Sequence, residues 1–306
     1  MATTTTTRTT YLASQNPHPR DKYIHFDEGP HKYTIQGIDG VTPETEFTSV
    51  TTWIHQHFVH FDAKKVITSM MRNQKKWNDP IANAKYYGKT SEEIEEMWAK
   101  AGQDAAAKGT AMHYKIECFY NTPPDTADTA DTADTADTAD TADTAATADT
   151  ADLQYFMNFH NEHVASPTAT LRPYRTEWTV FHEEARIAGS IDMVYEIVDT
   201  TDTDDTTLAI YDWKRCREIT KTNRANKFAT HPAIEHLPDT NYWHYALQLN
   251  LYKYILQTKY DKKITDLYII VLHPEGQNYQ RIKLPDLQSE VADLITERIH
   301  ERHAPA

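Results

Sequence analysis

The sequence predicts an α/β protein in which helices flank both faces of a mixed central β-sheet, with a helical region at the N-terminus. Two observations favour this class. Apolar segments typical of strands recur after residue 170, and segments with helical spacing lie before, between and after them. Strands of one sheet bury their apolar sides against such helices. The predicted strands lie near residues 174–182, 187–198, 207–215, 266–272 and 278–284, and the predicted helices near 153–164, 240–258 and 286–301.

Composition divides the chain into a tail, an N-terminal region and a core. Residues 1–20 are predicted to be a disordered tail, because a Thr-rich run and a Pro-containing segment offer no periodic apolar face. Residues 21–90 are predicted to form a hairpin and helices. Residues 91–302 form the core, interrupted at 125–152 by an acidic insertion of Asp-Thr-Ala triplets. A period of three matches neither helix nor strand, so we expect a flexible surface spacer; an acidic decoy for a basic groove is the alternative.

Local signals place the elements of the first 120 residues. Tyr23–Asp27 and His31–Gln36 are predicted to pair as a hairpin across a Gly-Pro turn. Ser49 is the expected cap of a first helix, and residues 62–76 are expected to form a second helix with a basic surface. A third helix is predicted over 91–120, where two glutamates follow a serine at its start.

The net charge of −14 is unevenly distributed. Nine aspartates of the Asp-Thr-Ala tract account for all but −5 of it, and four more occupy a predicted hairpin tip at residues 199–205. The folded body is therefore close to neutral, and the acidic total does not exclude nucleic-acid binding. A basic segment over residues 214–227 is the expected place for a nucleic-acid backbone.

Cysteine usage and hydropathy exclude several classes of protein. The only two cysteines, Cys118 and Cys216, have no paired spacing, which argues against a disulfide framework, a thiolate zinc site or an iron–sulfur cluster. No apolar run reaches the length of a membrane span, and the N-terminus has no apolar signal segment. We therefore expect an intracellular protein with no membrane partner.

The strand that contains Gly189–Val194 carries an acid on an otherwise ordinary pattern. Ile191, Met193 and Tyr195 alternate with polar and apolar neighbours, so these three side chains are expected on one face. Asp192 is then expected on the opposite face. In isolation an exposed aspartate on an edge strand is an equally good interpretation.

A second strand, Ile210–Lys214, carries an acid and an amine. Asp212 and Lys214 are two residues apart, so both side chains point to one face. Pairing of the two strands would bring Asp192 towards Asp212. Two carboxylates favour Mg²⁺ or Mn²⁺, and an adjacent lysine can orient a water bound to the ion.

The helix predicted over 91–120 contributes a further candidate ligand. His113 and Glu117 are one turn apart and share a face, with Gly109 allowing close approach to the sheet. An imidazole beside the ion would favour Mn²⁺ or a similar transition metal, although a packing histidine is the simpler interpretation of His113 alone. Gly102 is a candidate break in this helix.

Two more candidates lie outside these elements. Glu177 is a possible further acid, for which an exposed strand position is the default. Gln248 and Tyr252 lie one turn apart on the predicted helix near 240–258, where an amide and a phenol could contact phosphate or base.

In order along the chain these segments resemble the PD-(D/E)xK nuclease superfamily, and in particular its RecB-type exonuclease branch, including small stand-alone nucleases of phages and large DNA viruses. The resemblance covers roughly residues 100–275 without the Asp-Thr-Ala tract. Ile191 stands where the superfamily name has proline, and the interval between the two acids is long. The matching segments are Gly109-Thr110-Ala111-Met112-His113, Glu177, Gly189-Ser190-Ile191-Asp192, Asp212-Trp213-Lys214 and Gln248-x-x-x-Tyr252.

The resemblance implies a restriction-endonuclease-like core and a Mg²⁺- or Mn²⁺-dependent nuclease that acts on DNA ends and leaves 5′-phosphates. A structure- or sequence-selective endonuclease and a catalytically inactive DNA-binding module are the alternatives. No iron–sulfur cluster is expected, and any helicase or recombination function would come from another chain. The implied metal ligands are His113, Asp192, Asp212 and the carbonyl of Trp213; the implied catalytic residues are Asp192, Asp212, Lys214 and Glu177; and the expected DNA contacts are Gln248, Tyr252, Arg215, Arg217, Lys221 and Arg224.

Overall fold

A computed structural model of the protein describes residues 10–123, 150–198, 206–223 and 225–303. Within these ranges a six-stranded mixed sheet is flanked by helices on both faces, as the sequence predicts. The hairpin near the N-terminus forms a separate two-stranded sheet. The strands are β1 (Ile24–Asp27), β2 (Lys32–Ile35), β3 (Thr48–Ser49), β4 (Leu171–His182), β5 (Ile187–Ile197), β6 (Thr207–Lys214), β7 (Lys263–Val271) and β8 (Gln280–Lys283).

Eight α-helices occur in the described part of the chain, and local capping accounts for several of their starts. Ser49 accepts a hydrogen bond from the amide of Thr52, as the sequence predicts. Thr90 and Glu93 form a reciprocal capping box at the start of the longest helix. The helices are α1 (Tyr11–Gln15), α2 (Val50–His55), α3 (Ala63–Arg72), α4 (Gln74–Trp77), α5 (Ser91–Asn121), α6 (Ala151–His163), α7 (Asn241–Lys259) and α8 (Gln288–His303).

Strand β5 lies at the centre of the topology because it has three partners. β4 pairs antiparallel along its whole length on one edge, whereas β3 and β6 share the other edge. The short β3 pairs with Ile187 and Ala188, and β6 pairs only from Met193 to Glu196. Residues 189–192 of β5 therefore have no ladder partner on that edge. Beyond β6, the parallel β7 follows through the crossover helix α7, and β8 closes the sheet.

The two faces of the sheet pack into two different cores. Leu208 and Ile210 of β6 lie in a core built with α2, α7 and α8. Tyr211 and Trp213 of the same strand lie in a second core with α1, α6 and the C-terminal part of α5. Such alternation is what a strand covered on both faces requires.

The alternation predicted for β5 is wrong across Asp192. Ile191 packs in the first core, whereas Met193 and Tyr195 pack in the second, so the three side chains do not share one core. Opposite Asp192, the β4 residue Glu177 has a positive φ of 44°, which breaks the regular ladder at this point.

The predicted disordered tail is wrong for its second half. Residues 10–20 are ordered: Leu12 is only 6 % exposed, and its amide donates to Asn121 Oδ1 at 3.0 Å. Arg175 donates to the carbonyl of Asn16 at 2.8 Å. The apolar periodicity of α1 extends over only five residues, too few to be recognised in a sequence. Residues 1–9 lie outside the described residues.

Helix α5 differs from its prediction in two respects. It continues without a break through Gly102, because the flanking residues are good helix formers. A Cβ built at Gly109 would meet nothing within 4 Å, so this glycine does not mediate close approach to the sheet. The helix at residues 62–76 is divided at Asn73 into α3 and α4.

The predicted insertion at 125–152 ends earlier than expected. Asp152 lies in the first turn of α6, is buried, and accepts from Arg215 at 2.7 Å. The rest of the tract up to residue 149 and the hairpin tip at 199–205 lie outside the described residues. No helix of the described ranges is long and apolar enough to cross a membrane.

Substituting Gly189 by alanine should destabilise the protein by about 2 kcal/mol, since inserting a methyl group into a packed core is costly. The new Cβ would lie 2.7 Å from Cε1 and 2.8 Å from the hydroxyl of Tyr252, and 3.1 Å from Val50. The same substitution at Gly102, where nothing lies within 4 Å, should instead stabilise α5 by about 0.5–1 kcal/mol. Urea unfolding measures both, and a gain or no change for Gly189→Ala would contradict the packing described here.

Candidate active site

Strands β5 and β6 stop pairing at the positions of Asp192 and Asp212. The β5–β6 ladder ends with the pair Met193 and Tyr211, so continued register would place Asp192 opposite Asp212. Instead, the amide of Trp213 donates to Asp192 Oδ2 at 3.0 Å. The carboxylate of Asp192 thus takes the place of a backbone carbonyl of the ladder. The two strands separate here, and the opening between residues 189–192 of β5 and residues 212–214 of β6 is called the fork.

Glu177 approaches the same acid from the other edge of β5. Its neighbours pair regularly with β5, Thr176 with Met193 and Trp178 with Ile191, which leaves Glu177 opposite Asp192. A positive φ is uncommon outside glycine and is often found at functional sites. Ser190 donates to Glu177 Oε2 at 2.8 Å. The expectation that Glu177 is exposed is wrong, since the residue is half-buried and its carboxylate lies beside Asp192 and His113.

Helix α5 brings His113 to the fork. Its Nε2 lies 2.8 Å from the carbonyl oxygen of Trp213, and because a carbonyl only accepts, Nε2 carries the proton. Nδ1 then has the free lone pair and lies 3.4 Å from Asp192 Oδ2. The tautomer required of a metal ligand is therefore fixed by the backbone of β6.

Three side chains present ligand atoms to one point. A nitrogen of His113 and carboxylate oxygens of Glu177 and Asp192 lie within 4.8 Å of one another, a separation that one cation can bridge. Asp212 lies outside this set, and the carbonyl of Trp213 already accepts from His113. The group of converging ligand atoms therefore differs from the expected metal ligands: it includes Glu177, and Asp212 lies beside it.

Asp212 and Lys214 form an ion pair on one face of β6, as their spacing predicts. Lys214 Nζ lies 2.5 Å from Asp212 Oδ2, and Asp212 is only 2 % exposed. Lys214 Nζ also lies 4.6 Å from the ring centre of Tyr245 on α7, a cation–π contact. The carboxylate and the ring together restrict where the ammonium group can point.

The pKa values of two acids of the fork, Glu177 and Asp212, are shifted. Burial, and then the charge of Asp192, raise the pKa of Glu177 to about 7 and that of Asp212 to about 6. Burial disfavours the charge of Lys214, but the charges of Asp212 and Asp192 outweigh it and raise its pKa above the ordinary value. The fork therefore holds more negative charge than its own cations neutralise, which favours binding of a divalent ion.

The predicted pair Gln248 and Tyr252 lies on α7 beside the fork. Tyr252 is only 3 % exposed and packs against Gly189 of β5. Gln248 is half-buried and lies one turn before Tyr252 on the same helix. The phenol is thus enclosed by the protein, and contact of Tyr252 with DNA is not compatible with this structure; Gln248 keeps partial access.

The basic segment behind β6 is not uniformly available. Arg215 is engaged by the buried Asp152. Arg217, with a side chain 77 % exposed, pairs with Glu275, and Lys221 Nζ lies 4.5 Å from the ring centre of Tyr242. Arg224 lies outside the described residues. Arg217 and Lys221 remain at the surface, where a phosphate could compete for them.

Sequence reasoning missed two members of the site. Ser190 hydrogen-bonds Glu177, and Tyr245 contacts Lys214. Ser190 stands immediately after Gly189 in a segment already singled out, so its neighbourhood was a signal. Tyr245 had a weaker one: it lies three residues before Gln248, on the same side of a helix.

The chain was compared with protein families, curated proteins and solved structures. A family model described as the PD-(D/E)XK nuclease superfamily matches residues 83–306. No curated protein matches the chain. Among solved structures, the crystal structure of SSO0001 is similar at 12 % identity with a TM-score of 0.22, a likeness too low to bear on the fold.

That alignment covers 50 % of this chain and 59 % of the other, so the chain spans less than two thirds of that structure's length. The family match is different in extent, because it covers more than two thirds of the chain and contains His113, Glu177, Asp192, Asp212 and Lys214. The protein therefore belongs to the PD-(D/E)XK nuclease superfamily.

Proposed function

We propose that the protein is a metal-dependent deoxyribonuclease that hydrolyses DNA from its ends and leaves 5′-phosphates. The observation that carries the proposal is the convergence of His113, Glu177 and Asp192 beside the Asp212–Lys214 ion pair. Membership of the nuclease superfamily supports hydrolysis of a phosphodiester. End dependence rests on the resemblance to the RecB-type branch.

The donor set fits a hard or borderline divalent cation. Carboxylate oxygens of Glu177 and Asp192 suit Mg²⁺ and Mn²⁺, and the Nδ1 lone pair of His113 favours Mn²⁺. An ion bound there would polarise the phosphate and acidify a coordinated water. The surplus of buried carboxylate charge provides the driving force for such binding.

Lys214 is proposed to act on the nucleophile and the phosphate. Its ammonium group is held by Asp212 and the Tyr245 ring, and so has few rotamers available. A positioned N–H donor can orient an attacking water or stabilise charge developing on a phosphate oxygen. Trp213 contributes its backbone on both sides, accepting from His113 and donating to Asp192.

The proposed DNA path runs over the exposed groups next to the fork. Arg217 and Lys221 follow β6, and Gln248 lies beside the site on α7. Cations at this position would position the backbone without reading its sequence.

Asp192→Asn and Asp212→Asn should each reduce nucleotide release from linear DNA by about 100-fold or more. Catalytic groups that act as a unit depend on one another, so the loss of one removes most of the activity. The control is Asp266→Asn, which removes an acid of the adjacent strand that pairs with Lys283. Release of acid-soluble nucleotides is measured with Mg²⁺, with Mn²⁺ and with chelator. Equal activity of the wild type and the Asp192 and Asp212 variants would remove the proposed site.

Covalently closed circular DNA should resist the enzyme under conditions that digest the same DNA after linearisation. An end-dependent enzyme has no starting point on a closed circle. Gel analysis over time distinguishes the outcomes, and conversion of circles to linear products would establish an endonuclease. Binding of DNA in chelator, without cleavage in any metal, would instead indicate an inactive binding module.

Affinity for Mn²⁺ should increase as the pH rises from about 5 to 8. Because the pKa of Glu177 is raised to about 7 and that of Asp212 to about 6, protons compete with the cation below these values. The same raised pKa values stabilise the metal-free fold fully below about pH 4, and this stabilisation is lost as the pH rises through 6 to 7. Calorimetric titration and metal-free thermal unfolding measure the two effects.

Glu177→Gln supplies the control for this pH dependence. The amide cannot ionise, so the metal-free variant should lose less stability between pH 5 and 8 than the wild type does. A Mn²⁺ affinity of the wild type that is constant across this range would contradict the assigned ligands.

A further inference from the structure

A positively charged helical segment lies outside the active site. Residues 61–90, called here the α3–α4 module, contain seven lysines and arginines and two aspartates, a formal charge of +5. The thirteen aspartates of the Asp-Thr-Ala tract and of residues 199–205 account for all but −1 of the net charge of −14, so the rest of the chain outside the module carries −6. A module of opposite sign to the rest of the protein requires a reason, and most of it precedes the start of the family match at residue 83.

Three of the seven cations of the module lie at the corner between its two helices. Arg72 ends α3, and Lys75 and Lys76 lie on α4, in a turn fixed by Asn73, whose Oδ1 accepts from the amide of Lys76 at 3.3 Å. All three basic side chains are exposed, and within the described ranges none of them forms an ion pair. By contrast, Arg215 is engaged by a buried carboxylate. Three exposed cations at one corner make a surface that suits phosphate groups.

Helix α5 connects this module to the active site. The module packs on its first turns, where Ile67 of α3 and Ile94 of α5 are both fully buried. His113 lies 19 residues after Ile94 on the same unbroken helix, which is about 28 Å along the helix axis at 1.5 Å per residue. Residues 99–108 between them are all exposed. The helix thus forms a bare span with the fork at one end and the basic module at the other.

The length of this span can be expressed as a number of nucleotides of one DNA strand. About 28 Å corresponds to roughly eight nucleotides at 3.4 Å each. Six of the ten exposed residues at 99–108 are alanine or glycine, so only short side chains line most of the interval. A polyanion that leaves the fork along α5 would pass the exposed Lys100 and Lys108 and then meet the three cations of the α3–α4 corner.

We propose that Arg72, Lys75 and Lys76 form a second phosphate-binding surface, which holds the DNA substrate beyond the far end of the α5 span, on the order of eight nucleotides from the scissile phosphate. This rests on the proposed deoxyribonuclease function and adds a substrate-length requirement to it. The corner increases affinity and supplies no group to the hydrolysis itself. Its effect is therefore confined to substrates long enough to reach it.

The test compares two triple substitutions that remove the same charge. Arg72→Gln/Lys75→Gln/Lys76→Gln alters the corner, whereas Lys22→Gln/Lys32→Gln/Arg302→Gln removes three exposed cations from the N-terminal hairpin region and α8. Binding of a labelled 30-nucleotide and a labelled 6-nucleotide DNA is measured in chelator at several salt concentrations. The corner variant should bind the long DNA about tenfold more weakly, with a log–log salt slope smaller by about 2, and the short DNA as the wild type does.

Three further results decide the interpretation. Arg72→Lys, which keeps the charge, should bind long DNA as the wild type does, and thermal unfolding shows whether each variant is folded. Equal losses for the two triple variants, or the same loss on short and long DNA, would overturn the proposal. Because binding is measured without metal, it is independent of hydrolysis: wild-type binding without cleavage would refute the proposed function and leave this surface open to the same test.

Discussion

The structure depends on holding several carboxylates out of water at one point of a sheet. The charges of Glu177, Asp192 and Asp212 are opposed by the ammonium group of Lys214, whereas His113, with its proton on the nitrogen next to the Trp213 carbonyl, turns a lone pair towards Asp192. Burial and the charge of Asp192 raise the pKa of Glu177 and of Asp212, so the arrangement is costly without a counter-ion. It is tolerated because hydrogen bonds from Trp213 and Ser190 reach two of the acids. A divalent cation is the simplest species that completes the charge balance.

The fork exists because the edge of β5 is divided between two strands. β3 occupies one end of this edge and β6 the other, and the unpaired interval between them contains Gly189 and Asp192. Gly189 is required there because Tyr252 of α7 packs where a side chain would otherwise lie. On the opposite edge, the left-handed backbone of Glu177 interrupts the β4 ladder. Irregularity on both edges makes room for side chains in the middle of a sheet, where regular pairing would leave none.

Helix α5 is long enough to have a different structural role at each of its two ends. Its C-terminal turns pack in the second core and place His113 at the fork, while its first turns support α3 and α4. The exposed turns between have no packing to stabilise them, so their stability comes from alanine-rich sequence and a strong cap. A single rigid element therefore sets the distance between the ligand-bearing histidine and the basic corner.

Strand alternation and helical spacing are local properties, so the amino-acid sequence predicts the fold class, most element positions and the shared face of Asp212 and Lys214. Three long-range contacts became visible in the folded chain alone: Glu177 joins His113 and Asp192, Tyr252 is enclosed, and Arg215 is engaged by Asp152. The five residues of α1 were equally beyond local reasoning, and the position of Tyr245 one turn before Gln248 did not indicate its contact with Lys214. Each of these depends on which edge or face of the sheet a distant segment reaches, and no short-range pattern encodes that.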